Sequence, residues 1–282
     1  MDRLLPYVIS GTLDSARSEL ISTKQIDQFR ESLDADLQAM GKNTLWVPES
    51  ELRQGMRAFC KSTELPVVSL DNRYVDPKGA DSFIGITRAV DTHLQDAGYD
   101  SRAGSDALQA QLDNIGAKYA GKEIALVDDV LFSGEMVAWL ISELTKRGTK
   151  VSALYAGIAI REGVEKLTEL GIDISCGRLF ADVDDELVEI DFTALPGSGR
   201  KVKGENKSAL YFDNRFGQPN RWMSIPDDMV WKFCVSSLER NLQLLRQDAQ
   251  LAPFMGYPRG EVGMVLRKRL ELEQELKGGQ NA

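Results

Sequence analysis

The sequence predicts an α/β fold: a mostly parallel twisted sheet, a helical extension before it and an α-rich region after it. Three observations carry that prediction. A short apolar run, Ile124-Ala125-Leu126-Val127, is followed by apolar residues at helical spacing (Val137, Leu140, Ile141, Leu144) and then by the long run Val151 to Ile160. That order is a βαβ unit, and a run apolar at nearly every position is a strand buried on both faces. The composition is that of a folded globular chain, with 282 residues, 43% of them hydrophobic and 27% charged. It excludes collagen-like, low-complexity and largely disordered chains.

The elements follow in order. Ile26, Phe29, Leu33, Leu37 and Met40 recur at helical spacing, as do Leu52, Met56 and Phe59, so residues 1–62 read as a mostly helical extension. Leu65 to Leu70 reads as a buried strand, and Asp71-Asn72-Arg73 as the loop after it. Ser82 to Asp96 has a helical pattern, with a strand at Phe83 to Ile86 as the alternative. Gly98 to Asp106 is a polar loop, and Leu108 to Tyr119 a weak helix. After the 124–127 strand a helix runs from about Glu135 to Arg147, and Gly148 suits its C-terminal turn. Val164 to Leu170 is a further helix, and Ile172 to Phe180 holds a strand. Beyond Asp182 lie a Gly- and Lys/Arg-rich stretch (Pro196 to Gly204), an aromatic stretch (Tyr211 to Trp222), a helix (Asp227 to Gln247) and a charged amphipathic helix (Arg259 to Lys277). The expected division is therefore 1–62, an α/β core over 63–182, and a C-terminal region over 183–282.

Charge and composition narrow the function. Thirty-four basic against 43 acidic residues give −9, which disfavours coating of nucleic acid by the whole surface. Apolar runs fall far short of the ~18 residues of a membrane span. The start, Met1 to Pro6, lacks the basic and apolar regions of a signal peptide, so the expectation is cytoplasmic, without a membrane partner. Three dispersed cysteines (Cys60, Cys176, Cys234) match neither a disulfide framework nor a CxxC site. The single histidine, His93, excludes a multi-His metal site and reads as a surface helix residue.

The chemistry concentrates in Ile124-Ala125-Leu126-Val127-Asp128-Asp129-Val130-Leu131-Phe132-Ser133-Gly134-Glu135-Met136-Val137. A buried strand ends in two adjacent carboxylates, and a Ser-Gly turn then opens a helix. Ligands of open α/β sheets bind at the carboxyl ends of strands. A helix N-terminus offers unpaired N–H groups and partial positive charge to a phosphate. Ser133 adds a hydroxyl, Gly134 allows close approach, and the aspartates accept from vicinal hydroxyls. A ribose 5-phosphate has a phosphate at one end and a diol at the other, which fits this arrangement.

These residues resemble the PRPP-binding motif of the type I phosphoribosyltransferases: four apolar residues, two acidic, three variable, then Thr/Ser-Gly. The fold so implied is a sheet of that kind with a C-terminal hood. The wording Val-Asp-Asp-Val-Leu-Phe-Ser-Gly is most similar to the pyrimidine-operon attenuator and uracil phosphoribosyltransferase group, and the pattern continues into Arg161-Glu162-Gly163. The resemblance covers about residues 120–180 and extends back towards Leu65. It implies that Asp128 and Asp129 hold the ribose hydroxyls, and that Ser133, Gly134, Glu135, Met136 and Val137 wrap the 5′-phosphate. It further implies that Arg73, in the loop after the first core strand, meets the leaving pyrophosphate, and that Arg102 lies on a mobile loop (Asp100 to Asp106) closing over the site. Each of these two also has a plain reading, as a surface arginine in an ordinary loop. Two positions depart from the motif: Met136 lacks a hydroxyl, and Glu135 is acidic where a dianion would bind. Phe132 stands where the 6-oxopurine enzymes carry an aspartate, which argues against hypoxanthine-guanine transfer.

The resemblance implies Mg²⁺-dependent transfer of phosphoribosyl from PRPP to a nitrogenous base, with the metal held mainly through PRPP. It leaves the acceptor base open. Tyr211, Phe212, Phe216 and Trp222 are candidates to stack on a base or to pack a core. The Arg/Lys-rich stretch 196–204 is a candidate phosphate- or nucleic-acid-facing segment. Dimers are common in the resembled family, so a homodimer is a candidate assembly, with the oligomeric state left open by the sequence; the last amphipathic helix is a candidate dock for a protein partner. The alternative, from a different class, is a catalytically weak or inactive regulator or effector that binds nucleotide or partner macromolecules, as in a retron-type phage-defence system.

Overall fold

The computed structural model describes residues 4–15, 21–76, 78–102, 104–195, 197–205, 208–212 and 218–244. The first half of the chain forms β1 (Pro6–Ser10), α1 (Thr23–Ala39), β2 (Asn43–Val47), α2 (Glu49–Ser62), β3 (Val67–Ser69), β4 (Ser82–Phe83), β5 (Ile86–Val90), β6 (Asp96–Ser101) and α3 (Leu108–Lys118). The second half adds β7 (Glu123–Leu131), α4 (Glu135–Lys146), β8 (Lys150–Ile160), α5 (Arg161–Glu169), β9 (Asp173–Phe180), β10 (Asp185–Val188), β11 (Arg200–Val202), β12 (Ser208–Ala209), α6 (Pro219–Trp222) and α7 (Val230–Leu244). The class is α/β with mostly parallel pairing, as the sequence predicts. By contacts the chain divides into two compact units: Met1–Trp46, Ala89–Gly98 and Asp184–Ala282 form one, and Val47–Arg88 with Tyr99–Val183 form the other.

The unit built on 47–88 and 99–183 holds a five-stranded sheet of order β4-β3-β7-β8-β9. Every neighbouring pair in it is parallel. Helices cover both faces. On one face α4 buries Val137, Leu140 and Leu144 together with Ile124, Leu126 and Leu154 from the strands and Leu112 from α3. On the other lies α2. It fits closely because a glycine stands on each side of the contact: a Cβ at Gly157 of β8 would lie 2.8 Å from Leu52 Cδ2, and one at Gly55 of α2 would collide with the Tyr155 hydroxyl. Phe59 of α2 stacks on Tyr155 of β8 with centroids 5.3 Å apart, and Glu51 accepts two hydrogen bonds from Arg178 of β9, at 2.5 and 2.7 Å.

The other unit has its own core, with Ile26, Phe29, Leu33 and Leu37 of α1 against Phe233, Cys234 and Leu238 of α7. The remaining strands form sheets of order β10-β1-β2 and β12-β11-β5-β6. Two buried charges tie this unit together. Glu189 is fully buried and accepts from the Thr12 and Leu13 N–H groups (2.8 and 2.9 Å) and from the Arg30 guanidinium (2.6 and 3.0 Å). Arg240 donates to Asp36 at 2.6 Å across the α1–α7 contact.

Several expectations need correction. Residues 1–62 carry strands β1 and β2 as well as two helices, and they are divided between the units. The helix expected over Ser82 to Asp96 is β4, β5 and a turn, with Ile84 and Ile86 buried in the core. The Asp91 carboxylate holds the turn by accepting from the His93 and Gln95 N–H groups (2.8 and 2.9 Å), which places His93 in a turn rather than on a helix. The loop expected from Gly98 is strand β6 as far as Ser101. Within the Arg/Lys-rich stretch, Arg200–Val202 form β11: Arg200 and Lys201 pair with β12, and Lys201 and Val202 with β5. Phe212 is buried in the core, while Tyr211 and Trp222 meet edge-on and Arg200 lies 4.7 Å from the Trp222 ring centre. Phe216 and the amphipathic segment Arg259 to Lys277 lie outside the described residues.

Candidate functional site

The order in which the chain adds strands reverses between β3 and β7. From β7 the chain steps outward through β8 to β9, and from β3 it steps the other way to β4. The carboxyl ends of β3 and β7 therefore flank a topological switch point, the place where open α/β sheets bind ligands. Register sets the end of β3 level with Val127 of β7: Ser69 pairs with Val127, and the Leu70 N–H donates to the Val127 carbonyl at 2.8 Å. Asp71 follows the one strand, and Asp128 and Asp129 follow Val127 on the other.

The acidic pair lies inside β7, not beyond it. The strand runs on to Leu131 because β8 pairs with it throughout, Val130 with Ile158 and Leu131 with Ala159. Asp128 is 2% exposed, and its Oδ1 accepts from the Asp129 N–H at 3.0 Å. Asp129 is half-buried, and its Oδ1 accepts from the Val130 N–H at 2.9 Å. Burial, reinforced by the charge of Asp129, pushes the Asp128 carboxyl well above the usual range, against the pull of Arg102.

Asp71 is the residue that sequence reasoning passed over in favour of Arg73. It is fully buried and organises the loop after β3, accepting from the backbone N–H groups of Arg73 (3.0 Å), Tyr74 (2.6 Å) and Val75 (3.3 Å). Its carboxyl is pushed up by burial and by Asp129, with the Tyr74 and Arg73 N–H groups and Arg102 acting the other way. The available signal was an aspartate immediately after a buried strand and before polar residues, which is an Asx-turn pattern. Arg73 is thus fixed through its backbone to the turn that Asp71 holds.

The charge of Arg102, just after β6, favours the ionised form of both Asp71 and Asp128. The Arg102 N–H and Nε donate to the Gly85 and Ile86 carbonyls, each at 2.8 Å. The carbonyls of Gly85, in the link between β4 and β5, and of Ile86, the first residue of β5, therefore hold an arginine expected on a mobile loop.

The loop from β7 to α4 carries the remaining predicted residues. Gly134 is the N-cap of α4 in the left-handed region, at φ +74°, a conformation that favours glycine. No side chain caps this helix, and the first bond of its ladder runs from the Ala138 N–H to the Gly134 carbonyl at 2.9 Å. The N–H groups of Glu135, Met136 and Val137 thus have no acceptor within the helix. Ser133 is half-buried before the cap. Val137 is buried, and Met136 is half-buried against the same core. The exposed Glu135 lies 3.7 Å from Lys166 of α5. The structure therefore gathers Asp71, Asp128, Asp129 and Arg102 electrostatically and puts an uncapped helix start on the strand that carries the pair. Among the described residues, no three His, Cys, Asp or Glu side chains group to hold a metal ion, and no helix is long and apolar enough to cross a membrane.

No protein-family model matches the chain, and no curated protein matches it. Parts of it are similar to solved phosphoribosyltransferase structures. Orotate phosphoribosyltransferase from Aeropyrum pernix is 26% identical over 20% of this chain, with a TM-score of 0.20; the likeness spans 35% of that enzyme's length. Adenine phosphoribosyltransferase from Thermoanaerobacter pseudethanolicus is 11% identical over 46% of this chain and 80% of its own, with a TM-score of 0.32. Orotate phosphoribosyltransferase from Mycobacterium tuberculosis, in complex with inorganic phosphate, is 13% identical over 47% of this chain and 70% of its own, with a TM-score of 0.30.

Proposed function

We propose that this chain binds PRPP or a related ribose phosphate at the β3/β7 switch point and transfers its phosphoribosyl group to a nitrogenous base, releasing pyrophosphate. One observation carries the reading: Asp128 and Asp129 on β7, Asp71 on the neighbouring strand end and the charge of Arg102 converge where the sheet reverses order, on the strand that leads into the uncapped start of α4. A diol fits the carboxylates and a phosphate fits the N–H groups of Glu135 to Val137.

In this reading the chain's residues position and stabilise charge. Asp128 and Asp129 accept from the ribose hydroxyls and fix the sugar. The loop from Ser133 to Val137 holds the 5′-phosphate. Arg102, and Arg73 on the loop that Asp71 organises, offset the negative charge that grows on pyrophosphate as the bond to C1 breaks. Magnesium would enter on the phosphates of PRPP and neutralise the leaving group. Of the chain's own carboxylates, the half-buried Asp129 is the more open to solvent and suits a metal reached through water, while Asp128 is buried and Asp71 is committed to the backbone N–H groups of Arg73, Tyr74 and Val75. The acceptor group we favour is the pyrimidine-like one that the Val-Asp-Asp-Val-Leu-Phe-Ser-Gly wording resembles.

A second reading has its own observation. Met136 packs against the core where the motif carries a hydroxyl, and Glu135 adds negative charge at the helix start. Both weaken phosphate binding, which would suit a regulator or effector with little transfer, such as a retron-type defence component. A pyrophosphate-release assay with PRPP, Mg²⁺ and a panel of pyrimidine and purine bases separates the two. The enzyme reading expects release that depends on one base and is lost in Asp129→Asn. Absence of release with every base, despite PRPP binding, would favour the regulator.

A further inference from the structure

Helix α5 packs beside the loop that joins β7 to α4, more closely than side chains would permit. A Cβ at Gly163 would lie 2.2 Å from the Phe132 carbonyl oxygen and 3.0 Å from Leu131 Cγ. The contact is reciprocal. A Cβ at Gly134 would lie 3.3 Å from both Cα and the carbonyl oxygen of Gly163, and 3.5 Å from Leu167 Cγ. Gly163 and Leu167 are one helical turn apart and share a face of α5. From the same helix, Lys166 Nζ lies 3.7 Å from Glu135 Oε1. Three α5 residues therefore meet the segment from Leu131 to Glu135. That segment leads directly into the N–H groups that open α4. Phe132 meets α5 through backbone, which cannot swing aside as a flexible side chain would.

We infer that α5 is the positioning element of this loop and that Gly163 is its central contact. The missing side chain at 163 is the space that the Phe132 carbonyl occupies. The left-handed turn at Gly134 rests on Gly163 and Leu167, and this seat sets the direction of the N–H groups at 135–137. Gly163 touches no ligand and acts through the loop. The inference rests on the reading that the loop receives the phosphate end of a ribose phosphate, and it supplies the device that holds the loop in shape where Met136 contributes no hydroxyl.

The test compares wild type, Gly163→Ala and Leu167→Val by amide hydrogen exchange and by titration with PRPP·Mg²⁺ and with ribose 5-phosphate. Leu167→Val removes one carbon net from the seat under Gly134 and leaves Gly163 unchanged, and it serves if Gly163→Ala does not fold. The expected result is a retained melting transition, faster exchange confined to residues 132–137, and affinity for both ligands lowered about tenfold or more, since misplacement by ~1 Å costs up to ~10²-fold. Asp129→Asn, run in parallel, should lower affinity without changing exchange at 132–137. Unchanged exchange at 132–137 in folded Gly163→Ala and Leu167→Val would overturn the inference. So would changed exchange with wild-type affinity. If wild type binds neither ligand, the ribose-phosphate reading fails, and the exchange data alone then decide whether α5 sets the loop.

Discussion

Replacing Asp71 should loosen the loop after β3 more than any other single change there. Its carboxylate accepts from three backbone N–H groups, those of Arg73, Tyr74 and Val75, at 3.0, 2.6 and 3.3 Å, and it is fully buried. Hydrogen bonds to a charged acceptor contribute ~1.5–3 kcal/mol each, and a buried donor left without an acceptor costs ~1–3 kcal/mol. Against this stand the burial of the carboxylate and its repulsion by Asp129, both of which push its pKa up. The net cost of Asp71→Ala is therefore ~2–4 kcal/mol rather than the sum of three bonds. Asp71→Asn keeps one acceptor oxygen and removes the repulsion, so it should cost about half as much. The assay is urea unfolding at neutral pH, combined with amide exchange at residues 73–75. Asp71→Ala should shift the midpoint down and speed exchange at those three amides, with Asp71→Asn in between. An unchanged midpoint and unchanged exchange in Asp71→Ala would refute the reasoning, because the loop would then owe nothing to this carboxylate.

Two further predictions concern the other unit. The Asp185 carboxyl is pushed up to about 6, first by burial, with the like charge of Asp184 adding to it. The folded state then holds this proton more tightly than the unfolded state, so the contribution is full below about pH 4 and is lost as pH rises through about 6, by up to ~3 kcal/mol. Asp185→Asn should flatten that part of the stability-versus-pH curve, and a parallel curve for the variant would contradict the assignment. Arg240 is buried and donates to Asp36 at 2.6 Å. Asp36→Ala strands a buried guanidinium and should cost about 3 kcal/mol, while Asp36→Ala with Arg240→Met should cost less than the single change. Additive costs in that double-mutant cycle would show the pair to be uncoupled.

The parts of this fold that repeat a local rule were legible in the residues. The stripe Val137, Leu140, Leu144 announced α4, and the apolar run of β8 announced a strand buried on both faces, because each pattern is complete within one element. Ser82 to Asp96 misled because its apolar residues are spaced for a helix, while their burial is decided by distant partners: Phe83 pairs with Ser69, and Ala89 with Lys201. The same blindness to non-local pairing hid the length of β7 and the strands of the first 62 residues. At the candidate site, Asp128, Asp129 and Gly134 stood out by their place after a strand and before a helix. Asp71 and Gly163 did not. The role of one depends on its burial beside a neighbouring strand, and that of the other on a carbonyl 2.2 Å from an atom it lacks, and neither property has a period or a spacing.

The central claim is that the carboxylates at the β3/β7 switch point and the start of α4 form one ribose-phosphate site. Calorimetric titration with PRPP and Mg²⁺ tests it most directly, with the Asp128→Asn/Asp129→Asn double variant as control. The account predicts saturable binding in wild type that disappears in a control which melts as wild type does. Equal binding by both proteins, or none by either, would contradict it.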